Sequence, residues 1–184
     1  MFKLAIFAHS DDEVIWANAQ DFDKIIIVYF GIKDKPEVKE KRIQAMLNHP
    51  LKSKMIYLFI EELDIKHRRD RCGEHDEQFN NIVDKLAEFV EGVDEVWTHN
   101  PWGEYGHADH ILVSKAVMRM FDCPIYAAAF GKHGQNKGYK ILRKKFDINF
   151  FFKVKNIYND AGCWTGYTKY PHTMNGWLEY IRLK

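Results

Sequence analysis

Short, unbroken apolar stretches alternate with amphipathic ones along the first two-thirds of the chain, and this alternation constrains the fold more than any other feature. The apolar stretches are residues 3–8 (KLAIFA), 24–30 (KIIIVYF), 55–60 (MIYLFI), 95–99 (EVWTH) and 124–130 (PIYAAAF). They are nearly continuously apolar, as strands are when helices cover both faces of a parallel sheet. Residues 12–20, 37–48, 75–90 and 109–121 lie between them and read as helices. In 75–90, Phe79, Ile82, Val83, Leu86, Phe89 and Val90 recur every three or four positions, one stripe of a 3.6-period helix. Leu112, Val113, Ala116, Val117, Met120 and Phe121 repeat the pattern. Strand and helix in turn, four times over, predict an α/β fold with a doubly wound, mostly parallel sheet in the order 3-2-1-4-5.

The pattern weakens after residue 130. Residues 131–138 (GKHGQNKG) read as a loop and 148–154 (INFFFKV) as a further strand, antiparallel to the rest. The tail carries Trp164, Tyr167, Tyr170 and Trp177 without a clear period. A small irregular or antiparallel C-terminal extension is expected. There is no internal repeat, low-complexity tract or linker, so residues 1–184 are read as one domain.

Composition narrows the function classes. Apolar residues make up 46% and aromatic residues 15% of the 184, enough for a real core and against a disordered chain. Lys and Arg number 27 against 26 Asp and Glu, a net charge of +1. That balance gives no global electrostatic case for nucleic acid as partner. Cys72, Cys123 and Cys163 are odd in number and far apart, which argues against a disulfide scaffold or a four-cysteine zinc site. No stretch approaches the ~18 apolar residues of a membrane span, and the apolar run at the N-terminus is too short for a signal peptide. A soluble, cytoplasmic protein is expected. Oligomeric state is not legible.

Two segments concentrate the chemistry. AHSDDE (residues 8–13) follows the first strand, and THNPWGEYGHADH (residues 98–110) follows the fourth. In open α/β sheets ligands bind at the carboxyl ends of strands where the strand order reverses, and order 3-2-1-4-5 makes strands one and four neighbours there. Topology therefore brings His9, Asp11 and Asp12 against His107, Asp109 and His110. Two histidines and a carboxylate with one coordination position left to water form a catalytic zinc arrangement. Such an ion lowers the pKa of its water to roughly 7. A spare carboxylate can take the water's proton, and a spare histidine can stabilise an oxyanion or protonate a leaving amine. An Asp at a strand-to-helix turn also serves as a plain N-cap, so each segment alone is weak. At adjacent strand ends the pair is specific.

AHSDDE resembles the AHPDDE signature of the LmbE-like (PIG-L) de-N-acetylases, and THNPWGEYGHADH resembles their second signature, HxDH. The strand–helix order to about residue 130 agrees with the Rossmann-like fold of that family. The resemblance implies Zn2+, or Fe2+ or another divalent metal, held by His9, Asp12 and His110. It implies Asp11 as general base, and His107 as the group that stabilises the oxyanion and assists the leaving amine, with Asp109 orienting it. The implied reaction is hydrolysis of an N-acetyl group from an N-acetylglucosamine-type sugar or glycoconjugate. Ser10 stands where the family has Pro, and only KNIY (residues 155–158) echoes its C-terminal segment.

Other features have plainer readings. Trp102 and Tyr105 lie inside the second motif and are candidates to stack on a sugar, with Asn100 a candidate to position it. Trp16 and Trp164 are weaker candidates, and core packing is the commoner role for any one aromatic. Glu13 suits either holding a ligand or capping a helix. The basic clusters at 66–71 (KHRRDR) and 140–145 (KILRKK) read as solvated faces, and a phosphate or uronate would suit one that bordered the crevice. His49, His67, His75, His133 and His172 read as surface or internally satisfied residues. Residues 131–138 lack P-loop spacing, and no GxGxxG follows the first strand. The rivals to a deacetylase are a non-haem Fe(II) oxygenase, which also uses two histidines and a carboxylate, and a non-catalytic sugar- or metal-binding module. A spare Asp beside a ligand Asp favours hydrolysis over both.

Overall fold

The computed structural model describes residues 1–32, 35–62, 76–131, 136–163 and 176–184. The expected strands form as β1 (Lys3–Phe7), β2 (Lys24–Gly31), β3 (Met55–Glu61), β4 (Glu95–Thr98) and β5 (Ile125–Ala128). Two more follow, β6 (Ile141–Lys145) and β7 (Trp177–Arg182). They make one sheet in the order β3-β2-β1-β4-β5-β7-β6. The first five are parallel, as the unbroken apolar runs require, and β7 and β6 close the sheet antiparallel. The fold is the doubly wound α/β class, with the expected order at its centre.

Alternate strand residues face opposite helical layers. Ala5, Phe7, Ile25 and Ile27 pack with Ala45 of α2 (Pro36–Asn48) and with Phe151, Val154 and Tyr158 of α5 (Ile148–Asp160). Leu4, Ile6, Ile26 and Val28 pack with Ile82 and Leu86 of α3 (Asp76–Leu86). Leu112, Val113, Ala116 and Val117 of α4 (Ala108–Met120) complete that second layer. The short α1 (Asp12–Ile15) ends well before residue 20, and a 3₁₀ turn follows at Ala19–Asp21.

One expectation is corrected. Residues 148–154 are not a strand but the first half of α5. A short apolar run such as INFFFKV fits a strand as well as a helix. Helical spacing wins because Phe151, Val154 and Tyr158 fall on one face and are buried, while Phe152 is 49% exposed. The Asp147 carboxylate caps the helix by accepting the Phe150 N–H at 2.9 Å.

The basic run at 140–145 is the edge strand β6. Arg143 pairs with Glu179 of β7, and the Lys144 ammonium sits 4.1 Å from the Trp97 ring centroid and 3.7 Å from Asp21. Cys123 and Cys163 are free thiols. The cluster at 66–71 and Cys72, His67, His75, His133, His172, Trp164, Tyr167 and Tyr170 lie outside the described residues. Among the described residues no helix is long and apolar enough to cross a membrane.

The helical register of α5 predicts that Phe151→Ala loses about 3–5 kcal/mol and that Val154→Ala also destabilises. Phe152→Ala should stay within about 0.5 kcal/mol. Urea unfolding of the three variants checks this. A strand would put positions 151 and 154 on opposite faces.

Candidate metal centre

β1 and β4 pair in parallel, with Leu4 opposite Val96 and Ala5 opposite Trp97. The chain therefore leaves both strands at the same end of the sheet, and the two motifs meet there. After β1 the turn reverses through Asp11, whose φ of 95° lies in the left-handed region. A non-glycine residue held there stores about 1–3 kcal/mol. Glu13 holds it in place. Its Oε2 accepts the Asp11 N–H at 2.9 Å, and its Oε1 accepts the Tyr158 hydroxyl of α5 at 2.8 Å and lies 3.4 Å from His49 Nε2. His49 is buried beside it, its Nδ1 accepting the Leu51 N–H at 3.0 Å.

The loop after β4 is pinned from within. The Asn100 amide donates to the carbonyls of Ala128 and Phe130 at 3.0 and 2.7 Å and accepts the Glu104 N–H at 2.8 Å. The Trp102 indole N–H donates to the same Phe130 carbonyl at 2.7 Å. Gly103 has a φ of 63°, and a Cβ there would lie 2.5 Å from the His107 carbonyl oxygen. No other residue fits. The loop ends at His107, whose Nδ1 accepts the Asp109 N–H at 3.3 Å and caps α4. Asn100 is fully buried, whereas Trp102 and Tyr105 are half-buried, the Tyr105 ring edge-on to His107 at 5.8 Å.

Asp12 is the meeting point. Its Oδ1 accepts the Trp16 indole N–H at 2.9 Å, and its Oδ2 accepts the His9 N–H at 2.8 Å. That Oδ2 lies 3.3 Å from His9 Nδ1, 3.5 Å from His110 Nε2 and 3.3 Å from His99 Nε2. The far nitrogens of the two predicted ligand histidines each face another carboxylate. His9 Nε2 is 3.1 Å from Asp109 Oδ2, and His110 Nδ1 is 2.6 Å from Glu104 Oε2. Carboxylate-backed histidines of this kind are the usual surroundings of a metal ligand.

Among the described residues, three groups have ligand atoms within 4.8 Å of one another: His9 with His107 and His110, Asp12 with His99 and His110, and His9 with Glu62 and Asp109. His99 is spent elsewhere, since its Nε2 accepts the Ala8 N–H at 2.9 Å. His110 Nε2 is not spent. It is buried with no hydrogen-bond partner among the described residues, while Nδ1 donates to Glu104. A lone pair turned toward a carboxylate oxygen is repulsive, and a divalent cation satisfies both. The donor set of imidazole and carboxylate suits zinc or Fe(II).

Of the predicted site residues, His9, Asp11, Asp12, Asp109 and His110 are buried together and His107 stands at the opening with 27% of its side chain exposed. The Asp109 carboxylate contacts His9, and its Oδ2 is 3.9 Å from His107 Nδ1. Asn100 holds the loop, and Trp16, buried against Asp12, is not a free stacking face. Sequence reasoning missed Glu104 and the part His99 plays. Both lie inside the second motif, but nothing in their spacing sets them apart from loop residues.

The charges are strongly coupled. Burial alone would raise the Asp12 carboxyl, but His110, His99 and the His9 hydrogen bond outweigh it and hold it well below the usual range. For Glu104, His99 and His110 likewise overcome burial and hold it at about 2. Burial and the neighbouring His110 and His9 push His107 down to about 2, so its ring is neutral. Asp11 goes the other way: burial, then the adjacent Asp12 and Glu13 carboxylates, raise it well above the ordinary value.

No family model matches the chain. A search of curated proteins finds the "Uncharacterized protein L374" of Acanthamoeba polyphaga mimivirus, 25% identical over 156 residues, with 78% of this chain and 68% of that one covered. Among solved structures, the deacetylase of the teicoplanin biosynthesis pathway aligns over 99% of this chain and 98% of its own, with TM-score 0.60 and 14% identity. The A40926 pseudoaglycone deacetylase Dbv21 aligns over 98% and 96%, with TM-score 0.58 and 17% identity. The zinc-inhibited form of teicoplanin deacetylase Orf2 covers 99% and 98%, with TM-score 0.61 and 13% identity. The chain shares the fold of these deacetylases. The alignments with them span nearly the whole of this chain.

Because the folded state raises the Asp11 pKa, the folded chain binds a proton that the unfolded chain gives up near pH 4. Stability is thereby lost as pH rises from there toward the folded value. Asp11→Asn removes this term. The variant, freed of metal by chelator, should melt above the wild type at pH 7, and the gap should close as pH falls below about 4. Thermal melts across pH check the sign.

Proposed function

We propose that the chain is a metal-dependent N-deacetylase that hydrolyses the acetamido group of an N-acetylated sugar or glycoconjugate. The observation that carries this reading is His110 Nε2, without a hydrogen-bond partner among the described residues and facing Asp12 Oδ2, with Asp11 in the same turn. His9, Asp12 and His110 would hold a divalent ion, Zn2+ by the resemblance of the two motifs. When bound, such an ion supplies a polarised acyl oxygen and an acidified water.

The chain's own residues do the rest. Asp11 is buried and more basic than an ordinary carboxylate, which suits it to take a proton from the attacking water. His107 accepts at Nδ1 from the Asp109 N–H, so its neutral ring carries hydrogen on Nε2. That N–H would donate to the acyl oxygen as negative charge gathers there. Departure of the amine needs a proton, which Asp11, having taken one from the water, or His107 supplies. Asp109 backs His9, and Trp16 fixes the Asp12 carboxylate. Trp102 and Tyr105, half-buried at the rim, present aromatic faces to a sugar ring. The neighbours named above are deacetylases of teicoplanin and of the A40926 pseudoaglycone, which supports the same bond class.

A panel of N-acetylated sugars and glycoconjugates, assayed for released primary amine with the zinc-loaded protein, tests the reading. Amine should appear with at least one member and vanish on chelation. His107→Ala should lose about 10²–10³ in kcat with metal retained. Asp11→Ala should abolish turnover with metal retained, and His110→Ala should lose metal and activity together. Full turnover by Asp11→Ala would remove the base, and an unloaded wild type would remove the reading.

A further inference from the structure

We propose that Glu104 is a positioning residue: one buried carboxylate sets the tautomer of two histidines at once and so makes one a metal ligand and the other a strand fastener. The inference rests on the deacetylase reading for its consequence, though its geometry stands apart from it. Glu104 Oε2 accepts from His110 Nδ1 at 2.6 Å and from His99 Nδ1 at 3.1 Å, and its Oε1 accepts the Asn100 N–H at 3.0 Å. A carboxylate only accepts, so both rings must present hydrogen at Nδ1. The Ala8 N–H that donates to His99 Nε2 requires a lone pair there, and a neutral His110 with its hydrogen on Nδ1 keeps one on its own Nε2.

The two lone pairs have different fates. That of His99 takes the Ala8 N–H at the end of β1, tying the exit of β4 to the exit of β1. That of His110 points at Asp12 with no other partner among the described residues. The rings lie nearly parallel, 15° apart, with centroids 3.8 Å apart, so Glu104 faces them as one stacked pair. The backbone is shaped for this purpose. Glu104 has a φ of 54°, in the region that favours glycine, and the Asn100 amide oxygen locks it by accepting its N–H at 2.8 Å. Gly103 beside it admits no Cβ. A loop that holds a glutamate in this conformation, with its carboxylate buried against two imidazoles, is arranged around that carboxylate.

Glu104→Gln discriminates this role from simple packing. The amide is nearly the same shape, but it must turn its NH₂ either at the Asn100 N–H or at the two imidazole N–H groups. One of the three hydrogen bonds becomes a donor–donor clash, or a ring flips its hydrogen to Nε2. The expected result is a zinc Kd raised about 10- to 100-fold by chelator competition. Side-chain 15N spectra should move His110 from the Nδ1–H form toward Nε2–H. The wild type needs no variant for its own test, because its spectrum should show both His99 and His110 as Nδ1–H before zinc is added.

A Glu104→Gln protein that binds zinc within twofold of wild type overturns the proposal. So does a wild-type spectrum with either ring in the Nε2–H form. If the variant fails to fold, the wild-type spectrum and Glu104→Asp decide: the shorter carboxylate keeps the charge and misses the rings, so it should weaken zinc and let His110 move toward Nε2–H, while the Ala8 N–H keeps His99 as Nδ1–H. A wild type that never binds zinc yet shows both Nδ1–H rings defeats the deacetylase reading and leaves the tautomer assignment standing.

Discussion

Everything at the site depends on β1 and β4 lying side by side and running the same way. Parallel pairing puts both exits at one end of the sheet, and no local contact could join stretches so far apart in sequence. The pairing is reinforced at the exit itself, where His99 accepts a backbone N–H from the end of β1. The two turns are then set in opposite ways. The first is held from one helical layer by Glu13 and Tyr158, and the second is held from the sheet by Asn100. A rigid frame of this kind suits a site in which tenths of an ångström matter.

The electrostatics explain why so many charges tolerate burial together. Asp12, Asp109 and Glu104 face His9, His99 and His110, and each carboxylate has an imidazole or backbone partner. Burying an ionised group without such a partner is prohibitive. The one carboxyl crowded by its own kind is Asp11, beside Asp12 and Glu13. Its raised pKa is destabilising for the fold and useful for proton abstraction, a familiar opposition at functional sites.

Much of this was legible in the chain. Five parallel strands, two long amphipathic helices and the meeting of the two motifs follow from apolar period and from the switch-point rule, because those are local patterns with one topological consequence. Residues 148–154 satisfy a strand pattern as well as a helix pattern, and only burial of Phe151, Val154 and Tyr158 on one face separates them. Glu13 and Tyr158 are 145 positions apart, and nothing local marks the link. Glu104 was hidden for another reason: its role depends on a left-handed backbone angle, which sequence spacing does not encode.

The edge strand β6 carries a consequence of its own. It is the last strand of the sheet among the described residues, and Ile141 and Leu142 on it are exposed. Arg143, Lys144 and Lys145 follow at once, with Arg143 engaged across to β7 and Lys144 folded over an indole. A second molecule approaching that border edge-on meets like charge repelling like charge. The basic run thereby acts as a gatekeeper against intermolecular β-pairing and amyloid-like growth.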